Sequence, residues 1–310
     1  MFVGFDIGGT TIKYGLLDEK GQILAKSSIE TSYDVEQLIT EMAEIVANYQ
    51  IDYPEIKGIG ISAPGIIQKD GFMLTAGAIK PLYGKNLKQA LEERCHLPVA
   101  IENDANAAAI AEKWLGNAQG IDNYLCLVLG TGIGGGIVMN GEVFRGAHGM
   151  AGEFGWMMID QLPDTGDIEE VSSNKKAAVV GGLCYQYNLA RKTQEGSELP
   201  ITDARELFAR EAAGEQLAHE IIERFFVDLS VTLLNLISCF DPEVILVGGG
   251  ISANPAFNQR LQGTLANVKA RHSSIHYLDG QTIAPIRTAK LQNDAGMIGA
   301  VYEIYQQLIK

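Results

Sequence analysis

The chain has no pair of cysteines at metal-motif or redox-motif spacing. Its four cysteines, Cys95, Cys126, Cys184 and Cys239, are scattered. They read as reduced, buried small hydrophobes and not as a disulfide framework or a structural zinc site. Positive charge is also short. Lys and Arg number 24 against 38 Asp and Glu, for a net charge of −14. A nucleic-acid protein relies on a basic footprint, so no DNA or RNA partner is expected. An anionic ligand held by backbone N–H groups remains compatible with this charge. Apolar stretches such as Val231–Ile237 are too short and interrupted to span a bilayer, so no membrane partner is expected. The opening Met-Phe-Val-Gly-Phe-Asp lacks the basic region of a secretory leader, and the expected location is the cytoplasm. No G-x-x-x-x-G-K-[ST] occurs, which removes the P-loop.

Glycine is abundant, at 35 of 310 residues. Ordinary usage is roughly 7%, and the excess sits in tight clusters, so it marks special backbone loops and not low complexity. With 46% apolar and 20% charged residues the chain has a globular composition. Its length suggests two domains.

Phe2–Phe5 and Ile12–Leu17 are short apolar runs around Gly8-Gly9-Thr10-Thr11, and Asp18-Glu-Lys-Gly21 is a hairpin turn leading to a strand over Gln22–Ser28. Val35–Asn48 has helical spacing. Strands are predicted over Ile56–Ile61 and Val99–Glu102, with helices over Leu87–Arg94 and from Asn103-Asp104 through Trp114. A boundary near Asn117 separates an expected domain 1–117 from a second over 118–292. After it a strand over Tyr124–Leu129, a glycine turn over Gly130–Gly136, a strand over Ile137–Met139 and the Asn140-Gly141 hairpin repeat the opening layout. Helices are predicted over Lys175–Tyr187, Ala204–Arg210 and Gln216–Phe240. Val244–Val247 is a strand running into Gly248-Gly249-Gly250, and Asn293–Leu308 is a closing helix. The alternation gives an α/β class with mixed sheets.

Gly130-x-Gly132-x-x-Gly135 formally matches the dinucleotide fingerprint, but a hairpin follows where that motif requires a helix. Three glycine turns remain, each able to be an ordinary tight turn. Together with the duplication they point to nucleotide phosphates, with Thr10, Thr11 and Thr131 adding hydroxyl donors and Asp6 able to hold Mg²⁺.

Asp6-Ile-Gly-Gly-Thr-Thr-Ile-Lys13, Ala63-Pro-Gly65, Glu102-Asn-Asp-Ala-Asn-Ala107, Gly130-Thr-Gly-Ile-Gly-Gly-Gly136, Ala151-Gly-Glu-Phe-Gly155 and Val247-Gly-Gly-Gly-Ile251 occur in that order, followed by Asn293-Asp-Ala-Gly296. This ordered set resembles the ROK family of bacterial sugar kinases, repressors and uncharacterised open reading frames. The resemblance implies an actin-like ATPase (ribonuclease H-like) fold, α/β, with two mixed-sheet domains around a cleft. It also implies a last segment, 293–310, that returns to the first domain. ATP and Mg²⁺ would be the cofactors and a sugar the acceptor, in a homodimer or homotetramer.

By itself Asp104, or its neighbour Asn103, reads first as a helix cap, and the family's catalytic base falls on Asp104. Asn103, Glu153 and Gly65 fall on acceptor-binding positions. Glu169 matches loosely, and its neighbour Glu170 could serve instead. Gly8, Gly9, Thr10, Thr11 and Lys13 would lie near the phosphates, although Lys13 could be a solvated strand residue. Gly130, Thr131 and Gly132 would face the phosphates from the second domain, and Gly248 and Gly249 would border the adenosine. Trp156 stands where many members have a zinc-binding His, and Met157–Ser173 has no cysteine, so no zinc site is expected. Trp156 could stack on a sugar ring or fill the volume of the missing metal site.

The expected activity is phosphoryl transfer to a primary hydroxyl, O6, of a hexose or a derivative such as a β-glucoside. N-acetylmannosamine or glucose kinase activity is the alternative. A family repressor is disfavoured by the charge and by the place of Asp6 near the start. An inert nucleotide-binding protein is disfavoured by the presence of Asp104 and both glycine turns.

Overall fold

A computed structural model describes residues 1–192 and 199–309. Residues 193–198, inside the expected second domain, and Lys310, at the end of the expected closing segment, lie outside them. The chain divides into two compact units. One comprises Met1–Asp122, Gly136–Gly152 and Asn293–Lys310, and the other Asn123–Gly135 and Glu153–Gln292.

The first unit is built on a five-stranded sheet. Its strands are β1 (Phe2–Ile7), β2 (Thr11–Leu17), β3 (Ile23–Glu30), β4 (Gly58–Ala63) and, after the short ladder of β5 (Phe72–Met73) and β6 (Lys85–Asn86), β7 (Val99–Asn103). The order is β3-β2-β1-β4-β7. The β1–β2 and β2–β3 pairs are antiparallel, and β1–β4 and β4–β7 are parallel. β4 is buried along its whole length and β1 nearly so, as strands covered on both faces must be. Helix α1 (Val35–Asp52) starts at Asp34, whose side chain accepts from Gln37 N, and buries Leu38, Ile39, Met42 and Val46. Helix α2 (Leu87–Cys95) is capped in the same way by Asn86.

Helix α3 (Asp104–Leu115) and the last helix, α10 (Ala295–Ile309), pack together and α10 lies on the sheet. Their approach depends on missing side chains. A Cβ at Gly299 would fall 1.8 Å from Ala107 O, and one at Gly60 would fall 2.3 Å from Ala300 O.

The second sheet contains β8 (Tyr124–Leu129), β9 (Ile133–Met139), β10 (Glu142–Val143), β11 (Val244–Gly248) and β12 (Ile286–Thr288), in the order β10-β9-β8-β11-β12. The units divide within β9. Each sheet therefore has a meander followed by two parallel strands, the duplication suggested by the glycine turns. β9 begins four residues before the expected strand, because Gly134–Gly136 are extended and not part of the turn. A Cβ at Gly136 would meet Ala109 Cβ at 2.6 Å, so helix packing accounts for the glycine there.

The helices of the second unit are α4 (Ser173–Ala177), α5 (Tyr185–Lys192), α6 (Ala204–Ala212), α7 (Gln216–Phe240), α8 (Pro255–Ala270) and α9 (Ser273–Leu278). The helix expected over Lys175–Tyr187 is instead broken. Ala178 is extended and Val179–Cys184 form a π-helical turn between α4 and α5. Gly181 lets this turn close on the Gly130 loop, since a Cβ there would lie 2.6 Å from Thr131 O. α7 buries Ile222, Phe225, Phe226, Leu229, Leu233 and Leu236. α8 packs on it through Phe257, whose ring lies 5.3 Å from Phe226 and 6.4 Å from Phe225. Among the described residues no helix is long and apolar enough to cross a membrane.

Candidate functional site

In the first unit the C-terminal ends of three adjacent parallel strands stand side by side. The register pairs Asp6 with Ser62, Ser62 with Glu102 and Ala63 with Asn103. Such an edge is where α/β sheets present ligand-binding side chains. Asp6 ends β1 with its side chain 20% exposed. Its Oδ1 accepts from Ser62 Oγ at 2.9 Å, and its Oδ2 lies 3.5 Å from Lys13 Nζ. The N-terminus of α10 comes so close that a Cβ at Gly296 would lie 2.5 Å from Asp6 Oδ1, and a helix N-terminus favours a carboxylate. Lys13 also donates to Asn293 O at 3.3 Å, so its ammonium is held beside Asp6 while its side chain stays 44% exposed.

The turn after Asp6 is held by its carbonyls. Gly8 O accepts from Thr31 Oγ1 at 2.7 Å, Gly9 O from Tyr33 OH at 2.9 Å and Thr10 O from Thr31 N at 3.0 Å. Gly8 N closes the turn onto Thr11 O. With the carbonyl edge tied back, the side around Thr10 stays exposed, an arrangement able to take an anion. Mg²⁺ prefers one or two carboxylates, waters and phosphate oxygens. Asp6 fits that donor set, because among the described residues only the loose Lys13 contact engages Oδ2. Among the described residues no three His, Cys, Asp or Glu side chains converge to hold a metal by themselves.

Asp104 opens α3 and is exposed, and its Oδ1 accepts from Ala105 N at 2.8 Å. Asn103 is the N-cap. Its Oδ1 accepts from Ala105 N and Asn106 N, and its Nδ2 donates to Gly65 O at 3.0 Å. Gly65 has φ +97, and a Cβ there would lie 2.3 Å from Thr75 O, so the position requires glycine. The cap and the Gly65 turn are thus one construction beside Asp104.

Behind it lies a charged network for which the sequence carried no local signal. Glu102 is buried. Its Oε1 accepts from Asn103 N at 2.9 Å and Asn106 Nδ2 at 3.0 Å, and its Oε2 from Arg145 Nε at 2.8 Å and Nη2 at 2.5 Å. Glu303 of α10 lies 3.4 Å from the same guanidinium. Burial pulls the Arg145 pKa down, but Glu102 and Glu303 outweigh it and the net shift is upward.

The second unit repeats the pattern. The Gly130–Gly132 turn follows β8, and β11 beside it ends in Gly248. Gly130 N donates to Gly132 O, and the exposed Thr131 stands at the tip. Gly249 has φ +89, and its backbone passes so close to β8 that a Cβ would lie 2.0 Å from Leu129 O.

Glu153 sits at the start of a 3₁₀ turn, Phe154–Trp156, and its carbonyl accepts from Trp156 N at 3.1 Å. Burial raises its carboxyl above the usual range, and among the described residues no donor reaches that carboxylate. Trp156 is 48% exposed. Glu169 is exposed on a neighbouring turn. Glu170 is half-buried and engaged by Tyr185 OH at 2.9 Å and Lys175 Nζ at 3.6 Å. The two segments are joined by the bridge between Met158 and Ser172 and by the bond from Ile159 N to Val171 O. Asp6, Gly8–Thr11, Lys13, Gly65, Asn103 and Asp104 thus share the first unit. Gly130–Gly132, Glu153, Glu169, Gly248 and Gly249 share the second.

The ROK family model matches residues 2–307. The chain belongs to the ROK family. A β-glucoside kinase of Listeria monocytogenes is 39% identical over 305 residues, covering 98% of this chain and 97% of that one. Among solved structures, a protein of the same organism described as a proposed N-acetylmannosamine kinase superposes with TM-score 0.84 and 36% identity, covering 100% and 99% of the two chains. A Streptomyces griseus ROK glucokinase in complex with glucose and AMPPNP gives TM-score 0.79 at 28% identity, covering 99% of each. The ROK kinase fold, the actin-like ATPase fold, is therefore that of this chain, and the two like sheets are its duplicated halves.

Proposed function

We propose that this ROK protein is an ATP-dependent sugar kinase that transfers the γ-phosphoryl group to a primary hydroxyl, O6, of a hexose or hexose derivative, with a β-glucoside as the favoured acceptor. The observation that carries the reading is Asp104. It is an exposed carboxylate at a strand–helix junction that the Asn103 side chain and the Glu102 carboxylate hold still. Asp104 accepts the proton of the acceptor hydroxyl as that oxygen bonds to the γ-phosphorus and the bond to the β-phosphate oxygen breaks, releasing ADP. The carboxylate of Glu153, which no donor reaches among the described residues, accepts acceptor hydroxyls, with Glu169 on the adjoining turn as the second acidic position. Asn103 and Gly65 shape the acceptor side of the junction.

The Gly8–Thr11 and Gly130–Gly132 turns, with Lys13, hold phosphates through backbone amides other than those of Gly8 and Gly130, which close the turns, and Gly248–Gly249 give the adenosine a side-chain-free border. Mg²⁺, when bound at Asp6, supplies charge neutralisation on the phosphates. The β-glucoside assignment is supported by the relative that matches over nearly the whole chain and by Trp156, an exposed indole on the turn that carries Glu153. N-acetylmannosamine is the alternative acceptor, from the structural neighbour's description, and glucose is another. A cytoplasmic homodimer or homotetramer goes with this reading.

The test is coupled ADP release with ATP and Mg²⁺ over glucose, mannose, N-acetylglucosamine, N-acetylmannosamine, cellobiose and gentiobiose. The expected result is turnover highest with a β-linked disaccharide and absent in Asp104→Asn. Silence across the panel, or an Asp104→Asn variant as active as the parent, overturns the proposal.

A further inference from the structure

Asn174 touches both of the turns in the second unit that the proposed function gives to different substrates. On the nucleotide side its Oδ1 accepts from Ile133 N at 2.7 Å, directly after the Gly130–Gly132 turn, and a Cβ at Gly132 would lie 3.1 Å from the same oxygen. On the acceptor side it fills the space left by Gly155, two residues beyond Glu153. A Cβ at that position would lie 2.1 Å from Asn174 Oδ1 and 2.7 Å from its Nδ2. One amide is therefore in contact with the backbones of two loops that are remote in sequence.

The segment that carries Asn174 is itself fixed at several points. Ser173 is fully buried. Its N donates to Met157 O at 2.8 Å, just past the Glu153 turn, and its Oγ meets Thr232 Oγ1 of α7 at 3.2 Å. Beyond α4, Val179 N and Val180 N both donate to Gly130 O, at 3.1 and 3.2 Å, and Gly181 N donates to Thr131 O at 2.9 Å. Residues 172–181 thus form a strut. One end is bonded to the acceptor segment and the other to the carbonyl edge of the phosphate turn, with Asn174 wedged between them. Close-packed elements of this kind transmit displacement and do not absorb it.

We propose that Asn174 is a positioning residue that couples the two substrates. A shift of the Glu153–Gly155 turn on acceptor binding reaches the Gly130–Gly132 turn through this amide, so sugar and nucleotide bind with positive cooperativity. By linkage the effect is reciprocal. The proposal rests on the assignment of these two turns to acceptor and phosphate.

The experiment is calorimetric titration of the full chain with ADP and with AMPPNP, in the absence and presence of saturating glucose or cellobiose. In the parent the sugar should tighten AMPPNP by about fivefold or more, the lower range of measured couplings, and in Asn174→Ala that factor should fall below about twofold while sugar affinity by itself changes little. Gly155→Ala forces a methyl group against the amide. It should weaken ADP in the sugar-free protein although the residue lies in the acceptor turn. Adding Asn174→Ala removes the collision and should return ADP affinity to that of Asn174→Ala alone. Full coupling in Asn174→Ala overturns the proposal, as does a Gly155→Ala variant that loses sugar affinity with ADP affinity unchanged. If Gly155→Ala does not fold, the coupling factor in Asn174→Ala decides. The ADP cycle needs no sugar. A parent that binds ADP but phosphorylates nothing overturns the kinase reading while the cycle still decides the strut, and a parent that binds neither ligand overturns both.

Discussion

Replacing Arg145 by methionine keeps an apolar stem of similar shape as far as the Nε position and removes the guanidinium, which isolates what that group does for the Asp104 junction. Glu102 has a side chain 7% exposed and receives two of its four hydrogen bonds from Arg145. Without them the carboxylate stays buried with Asn103 N and Asn106 Nδ2 as donors and no counter-charge. Breaking a buried pair from one side costs about 3–5 kcal/mol, against about 0–1 kcal/mol for a pair at the surface. The Arg145 side chain is 32% exposed, so water replaces part of what is lost. The expected cost is therefore at the lower end, about 3 kcal/mol. At 1.4 kcal/mol per factor of ten, that is a little over a hundredfold in the folded-to-unfolded ratio.

Urea unfolding followed by Trp114 fluorescence reads the first unit, because Trp114 lies 4.8 Å from the Tyr302 ring and stacks on Tyr305 of α10. The second tryptophan, Trp156, is removed from the signal in a Trp156→Phe background. In the double variant Glu102→Gln/Arg145→Met the amide oxygen still accepts from Asn103 and Asn106 and no buried charge is stranded, so most of the loss should be recovered. A loss below about 1 kcal/mol in Arg145→Met would place the pair with ordinary surface ion pairs and refute the argument.

Asp104→Asn should lower kcat by about two to four orders of magnitude while ADP affinity is kept, as for removal of a general base; loss of ADP binding would count against the assignment. Glu153 has its carboxyl raised by burial, so the folded state holds its proton more tightly than the unfolded state. Its contribution to stability therefore falls as pH rises from the ordinary glutamate value toward the raised one, and stays low above it. Glu153→Gln should remove that slope, stabilise the second unit at neutral pH and raise the acceptor KM; denaturation midpoints from pH 4 to 8 check the first two. Asn103→Ala loses both cap bonds and the tie to Gly65 and should cost about 1–2 kcal/mol, read as a lower urea midpoint by Trp114 fluorescence. Gly65→Ala places a side chain at φ +97 against Thr75 O and should cost at least about 1–3 kcal/mol, read by the same unfolding measurement.

Much of this protein is written locally. The Asp18–Gly21 turn, the amphipathic face of α1, the Asn103 cap, the span of α7 and the three glycine turns all follow from residues a few positions apart, because capping, turn geometry and helical periodicity act at that range. Helix α8 went unread because its buried residues, Phe257, Leu261 and Leu265, are one per turn in a polar background with Gly263 among them. Its only clear signal was Asn254-Pro255 at the start. The break after Ala177 was hidden for another reason. Val179-Val180-Gly181-Gly182 are poor helix formers and only weaken the helix locally, whereas the pull of the Gly130 and Thr131 carbonyls on Val179–Gly181, which fixes the break, exists only once the sheet is formed.

The order of the motifs determined the family and the kind of residue at each position of the candidate site. The closed chain decided which of those residues are held, and by what. Asn103 and Asp104 are adjacent in sequence, yet one is spent on a cap and a turn while the other is left exposed. Arg145 reaches Glu102 across 43 positions and Glu303 across 158, and Asn174 reaches Ile133 across 41. Partnerships over such separations have no local signature, since each requires the sheets and α10 to be in place before its two halves can meet.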